Sequence, residues 1–190
     1  MKMNANKENQ IKNRTLALLK NGRPDFDVPH TLAVVYWMKE LLKNEAGDEK
    51  ILIPAAYLHD IGYSRMKIAA GWQGTKDAKK DHMAHGAALA KPILKDLGFD
   101  LGEREKIIKL IRAHDKLETI SSPEECLLFE ADSLGQIDIA RVRSNFDLPD
   151  RKKFIDSFEK NRLPRFKTKT GKKLASILFP RAKSFYLEKD

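Results

Sequence analysis

Apolar residues recur along most of this chain at helical spacing, and hardly anywhere in the strict alternation of a half-buried strand. The pattern predicts a first helix over residues 8–20, ended near Asn21-Gly22. A second is capped by Asp27, carries Pro29 in its first turn and runs to about Lys43. A third spans 50–60; it is apolar almost throughout, runs into His59 and Asp60, and meets in Gly62 a residue that stops helices. The next twenty residues, 61–80, hold three glycines and many cations and predict a long irregular loop.

Further helices are expected from an Asp81 cap to Gly98 and over 103–116. Another starts at "SSPEE", with Ser122 as cap, Pro123 at the first position and Glu125 closing a capping box, and continues to about Ser144. Beyond Pro149 come one or two more helices, interrupted around Pro164 and Pro180. β-Branched residues are few and no Asn-Gly or Asp-Gly turn joins alternating runs, so the fold class is all-α.

Several polar residues fall on the inward faces of these helices. His30 shares a stripe with Val34, Trp37 and Leu41; His114 shares one with Ile107, Leu110 and Ile111; Asp132 aligns with Leu128 and Phe129. His85 sits one turn before Leu89, and His82, three residues earlier, competes with it for the same side. The apolar spacing after His85 favours it, leaving His82 as a helix-start or supporting group. A single histidine on an apolar stripe is usually a hydrogen-bonded core residue. Four of the five histidines beside aspartates are a different matter, because converging buried polar groups are costly unless a shared cation makes them ligands. Neighbouring residues on a helix point about 100° apart, so His59 and Asp60 serve one cluster best at a helix end.

At 190 residues the chain is long enough for a real core. The expected division is a helical metal-binding domain over 1–150, including an N-terminal helix at 7–20, and a basic helical extension over 151–190 packed on it. The single cysteine, Cys126, excludes an internal disulfide framework and suits a reducing compartment. No signal-like or membrane-length apolar run is present, and a cytoplasmic protein without membrane contact is expected. The net charge of +9 is local: residues 151–190 hold 13 Lys+Arg against 4 Asp+Glu, while residues 1–150 are balanced at 23 of each sign. That distribution opposes a wholly basic nucleic-acid binder. Aromatics interleaved with lysines in the last thirty residues would suit RNA or DNA contact, but an amphipathic helix with a basic outer face weighs more. "TKTGKK" lacks the glycine spacing of a P-loop and would at most bring cations to a site.

His30, then His59-Asp60, then Asp132 resembles the H…HD…D signature of the HD-domain superfamily. With His85 in "HMAHGAALAKPIL" and His114 in "LIRAHD", the set resembles the six-ligand H…HD…H…H…D version. "LLFEADSLGQIDIAR" is similar to the helix around the family's last aspartate, with Glu130 where the first Asp of "DAD-x-L" is common. The resemblance spans roughly residues 25–145 and implies a helical bundle holding two divalent transition-metal ions (Fe, Mn, Co, Ni or Zn). It places His30, His59 and Asp132 on one ion, His85 and His114 on the other, and Asp60 between them. The implied activity is that of a metal-dependent phosphohydrolase acting on a nucleotide or small phosphate ester. The alternative is the superfamily's mixed-valence di-iron oxygenase branch, which cleaves a C–C or C–P bond. Ile61, Gly62, Tyr63 and Ser64 follow the dyad where (p)ppGpp hydrolases carry "HD-x-x-ED", which opposes that substrate. Proximity to the ligands nominates Arg23, Arg65 and Lys67 as catalytic cations beside Asp60, with Arg112 and Lys116 further candidates. Trp72, in the 61–80 loop, would be a stacking surface on a lid or a residue packed inward.

Overall fold

The computed structural model describes residues 2–144 and 146–188, and among these it contains nine α-helices, two short 3-10 turns and no strand. Helix α3 (Glu49–Leu58) is the centre of the bundle: every residue from Ile51 to Leu58 is buried. Its four neighbours are α1 (Ala5–Leu19), α2 (Pro24–Leu41), α6 (Leu101–Ala113) and α7 (Pro123–Ile137). A helix apolar on all sides can only sit where other helices surround it, and this one does. Capping boxes start α6, at Asp100 and Glu103, and α7, at Ser122 and Glu125. Cys126 is buried and unpaired.

The predicted boundaries shift where side chains reach beyond their own turn. Helix α2 begins at Pro24, three residues before the expected cap. Asp27 lies inside it, buried, accepting from the Arg23 backbone N–H at 2.8 Å and from the Arg23 guanidinium Nη2 at 2.7 Å. Pro29 is therefore internal to the helix, not part of its first turn. Helix α7 stops at Ile137, not near Ser144, because Asp138 leaves helical backbone and its carboxylate takes Trp37 Nε1 at 3.0 Å and Arg141 Nη1 at 2.8 Å.

The expected loop over 61–80 is ordered into a 3-10 turn (Ile61–Arg65) and helix α4 (Gly71–Ala78). Gly62 does not stop α3 through left-handed backbone; Gly71 and Gly98 are the described glycines with positive φ. Its role is close approach. A Cβ at Gly62 would lie 1.9 Å from the His82 carbonyl oxygen and 2.7 Å from the Gly86 nitrogen, both in α5 (His82–Asp96). The missing side chain lets α5 press against the turn that follows His59-Asp60.

After α7 the chain continues through α8 (Leu148–Asn161), a 3-10 turn holding Pro164 (Leu163–Arg165), and α9 (Lys169–Leu187). Pro180 sits inside α9 without breaking it. Buried Phe154, Phe158, Phe179 and Tyr186 join α8 and α9 to the core. Thr168 caps α9, and the buried Glu130 carboxylate accepts from the backbone N–H groups of Lys167 at 2.6 Å and Thr168 at 2.8 Å. Glu130 and the "TKTGKK" turn thus serve each other. Among the described residues no helix is long and apolar enough to cross a membrane.

Substituting Gly62→Ala is expected to destabilise the chain by about 2–3 kcal/mol, because the obstructing atoms are backbone and cannot rotate away. Urea unfolding measures it; a midpoint equal to that of the unsubstituted chain would show that α5 does not depend on this contact.

Candidate metal centre

Four helix ends and two helix interiors bring six side chains together. His59 occupies the C-cap of α3, His114 the C-cap of α6, and His82 the first position of α5. Each has its Nδ1 against the carbonyl three residues earlier: Ala56 at 2.8 Å, Ile111 at 2.8 Å and Lys79 at 2.9 Å. A carbonyl oxygen only accepts, so Nδ1 carries the proton in all three, and a neutral ring presents the Nε2 lone pair. His30 projects from α2, Asp132 from α7, and Asp60 follows His59 at the start of the 3-10 turn.

The Nε2 atoms face one another in pairs. His82 Nε2 lies 3.1 Å from His114 Nε2, and His59 Nε2 lies 3.4 Å from His30 Nε2. Asp60 stands between the pairs. Its Oδ2 is 3.3 Å from His59 Nε2 and 3.6 Å from His30 Nε2, while Oδ1 is 3.3 Å from His114 Nε2 and 3.4 Å from His82 Nε2. Asp132 Oδ1 approaches His30 Nε2 at 3.0 Å and His59 Nε2 at 3.9 Å. Two groups therefore offer converging ligand atoms, His30–His59–Asp60 and Asp60–His82–His114, all buried. Two acceptors at 3.1 Å repel unless a cation lies between them, so this donor set fits divalent metal ions.

In the metal-free chain a proton does part of that work. Burial opposes charge on His59, but Asp60, with Asp132 and the Ala56 carbonyl, outweighs it and lifts the pKa to about 9. Burial dominates at His82, helped by His114 and opposed by Asp60, and lowers it to about 4. Burial would raise the Asp60 carboxyl, yet the surrounding imidazoles hold it well below the ordinary range.

The next layer fixes the rings. Tyr63 stacks on His82 with centroids 4.5 Å apart, and Phe26 stacks on His30 at 5.4 Å. Arg23 lies over the Tyr63 ring at 4.6 Å. A cavity of about 930 Å³ opens on the cluster; His30, Asp60, His114 and Asp132 line it together with Arg23, Lys79 and Arg162. Trp72 also lines this cavity, while packing edge-on against Phe146 and Phe154.

The HD domain family matches residues 28–136, more than half of the chain. This chain belongs to the HD domain family. A crystal structure described as a predicted HD superfamily hydrolase, from an uncultured Thermotogales bacterium, is similar to it with a TM-score of 0.64 and 25% sequence identity. That likeness covers 93% of this chain and 87% of the other. The curated proteins include no match. Members of the family bind divalent metals, and the buried His/Asp groups of this HD domain are of that kind.

Of the residues nominated from sequence, the HD fold brings together His30, His59, Asp60, His114 and Asp132, and it does not bring His85. His85 is exposed, and His82 stands in its place. The physical reason is helical phase. At 100° per residue His82 falls within about 20° of both Leu89 and Ile93, the buried face of α5, whereas His85 is 40° and 80° away from them. That finer phase was legible in the sequence. Arg23 reaches the cavity, but Arg65 and Lys67 are exposed and do not line it, because the 3-10 turn and the extended residues after it lead outward. Arg112 and Lys116 are exposed as well. Lys79 and Arg162, absent from the sequence-derived set, do line it.

The two shifted histidines predict opposite pH limbs for the metal-free chain. His59, raised from 6.5 to about 9, stabilises the fold fully below pH 6.5, and that contribution is lost as pH rises through 9. His82, lowered from 6.5 to about 4, contributes fully above pH 6.5 and loses its contribution as pH falls through 4. Thermal unfolding in chelator is expected to peak near pH 6.5, with His59→Gln flattening the alkaline limb; stability still climbing between pH 7 and 9 would contradict this.

Proposed function

We propose that this HD-domain chain is a metal-dependent phosphohydrolase that cleaves a nucleotide or small phosphate ester at a dinuclear centre. The observation that carries the proposal is the Asp60 carboxylate, buried with one oxygen toward His30 and His59 and the other toward His82 and His114. A carboxylate so placed suits a bridge between two ions, with Asp132 completing the His30–His59 side. Nitrogen-rich donors with two carboxylates favour Fe, Mn, Co, Ni or Zn over Mg or Ca.

When bound, such ions act as Lewis acids that lower the pKa of an attacking water and neutralise phosphoryl charge. The chain's own residues do the rest. The three Nδ1–carbonyl bonds hold His59, His82 and His114 in the ligating tautomer without a search at the moment of binding. Asp60 sets the separation of the two nitrogen pairs. Arg23 and Lys79 bring positive charge to the cavity wall, where non-reacting phosphoryl oxygens need it. The cavity, about 930 Å³, is of the size that admits an organic phosphate the size of a nucleotide. The similar structure described as a predicted HD superfamily hydrolase supports the same class of chemistry.

Metal analysis of anaerobically purified protein, followed by parallel assays of phosphate release and oxygen uptake, tests the proposal. Two ions per chain and phosphate release from nucleoside monophosphates or p-nitrophenyl phosphate are expected; substrate-dependent oxygen uptake without hydrolysis would overturn it in favour of the oxygenase chemistry. His82→Ala is expected to reduce bound metal to one ion and turnover by about 100-fold or more, and His85→Ala to leave both unchanged. The reverse pattern would restore His85 to the ligand set.

A further inference from the structure

We infer that Arg162, supplied by the C-terminal end of α8 and 26 residues beyond the matched HD segment, is a positioning residue that fixes which oxygen of Asp132 faces the metal centre. The inference rests on the ligand assignment proposed above. Arg162 is 5% exposed, an unusual burial for a guanidinium, and three of its N–H groups are committed. Nη2 donates to Asp132 Oδ2 at 2.5 Å, Nη1 to Asp115 Oδ1 at 2.8 Å, and Nε to Ser133 Oγ at 2.9 Å. Ser133 in turn donates to the Phe129 carbonyl at 2.7 Å, and the guanidinium lies 5.0 Å from the centre of the Phe129 ring.

The consequence for Asp132 is geometric. With Oδ2 taken by Arg162, only Oδ1 is directed to His30, and Gln136 Nε2 steadies that oxygen at 3.0 Å. A freely rotating carboxylate would offer both oxygens in turn; this one is held to a single-oxygen presentation. The same fork reaches Asp115, the residue after His114, whose other oxygen is held by Lys79 Nζ at 2.8 Å. Lys79–Asp115–Arg162–Asp132 is thus a continuous chain of alternating charge running from the end of α4, past the end of α6, to α7. Lysine at 162 would keep the charge but not the planar fork that meets three acceptors at once.

The effect should be confined to one ion. Mn²⁺ binding, followed by the electron paramagnetic resonance of the free ion, is measured in two single-ion backgrounds. His82→Ala retains the His30–His59–Asp132 side, and His30→Ala retains the His82–His114 side. Adding Arg162→Gln is expected to weaken Mn²⁺ binding about 10–100-fold in the first background and less than about 3-fold in the second. Arg162→Lys, which also serves should the glutamine variant fail to fold, is expected to recover part of the loss. Equal weakening in both backgrounds, no weakening in either, or full recovery by lysine would overturn the positioning role. Failure of the unsubstituted chain to bind Mn²⁺ at all would instead count against the dinuclear assignment itself.

Discussion

A carboxylate buried among four imidazoles is the constraint on which this structure turns. Asp60 has no place in an apolar interior by itself; it is tolerated there because His30 and His59 approach one of its oxygens and His82 and His114 the other. Each imidazole must arrive with the correct nitrogen, and the backbone carbonyls at Ala56, Lys79 and Ile111 decide that for three of them. Helix ends are suited to the task because their last carbonyls lack intrahelical partners. The placement of the cluster at the ends of α3 and α6 and the start of α5 therefore follows from hydrogen-bond accounting as much as from metal chemistry.

Charge compensation extends outward from that point. Asp132 and Asp115 would both be pushed by burial toward protonation, but Arg162 and neighbouring positive groups hold each below the ordinary carboxylate range. At Asp27 burial outweighs the pairing with Arg23, and the Asp60 charge adds to it, leaving the carboxyl raised. The interior thus grades from charge held by paired partners near the cluster to a weaker carboxylate at its edge. Residues beyond the HD match are part of this system: α8 delivers Arg162, and the start of α9 is held by Glu130 of α7, the helix that carries Asp132. The C-terminal forty residues hold all of the net positive charge, yet the cation among them that reaches the cluster most directly is one that is no longer at the surface.

Much of this was legible in sequence because helices write their periodicity into it. The all-α class, the buried α3, the capping box at Ser122 and the inward phase of His30, His114 and Asp132 all follow from spacing, since a side chain's direction on a helix depends only on its position in the turn. The same periodicity scarcely separates His82 from His85: near a helix start, two histidines three apart both sit close to the apolar stripe, and only the finer phase against Leu89 and Ile93 tells them apart. Boundaries failed where a distant partner intervened, as at Asp138, whose bonds to Trp37 and Arg141 end α7 early.

What the chain determines locally is the helical class, the caps and the inward direction of most of the cluster residues, because these depend on neighbours within a turn or two. Tertiary structure alone decided which cations reach the cavity. Arg65 and Lys67 are close to Asp60 in sequence but lead outward, whereas Arg162 is 102 residues from it and touches Asp132. It also decided the role of Gly62, whose need for a bare backbone appears only when α5 is packed against it. Contacts between elements carry no periodic signature, so no reading of spacing along one helix can anticipate what a helix a hundred residues away will press into its end.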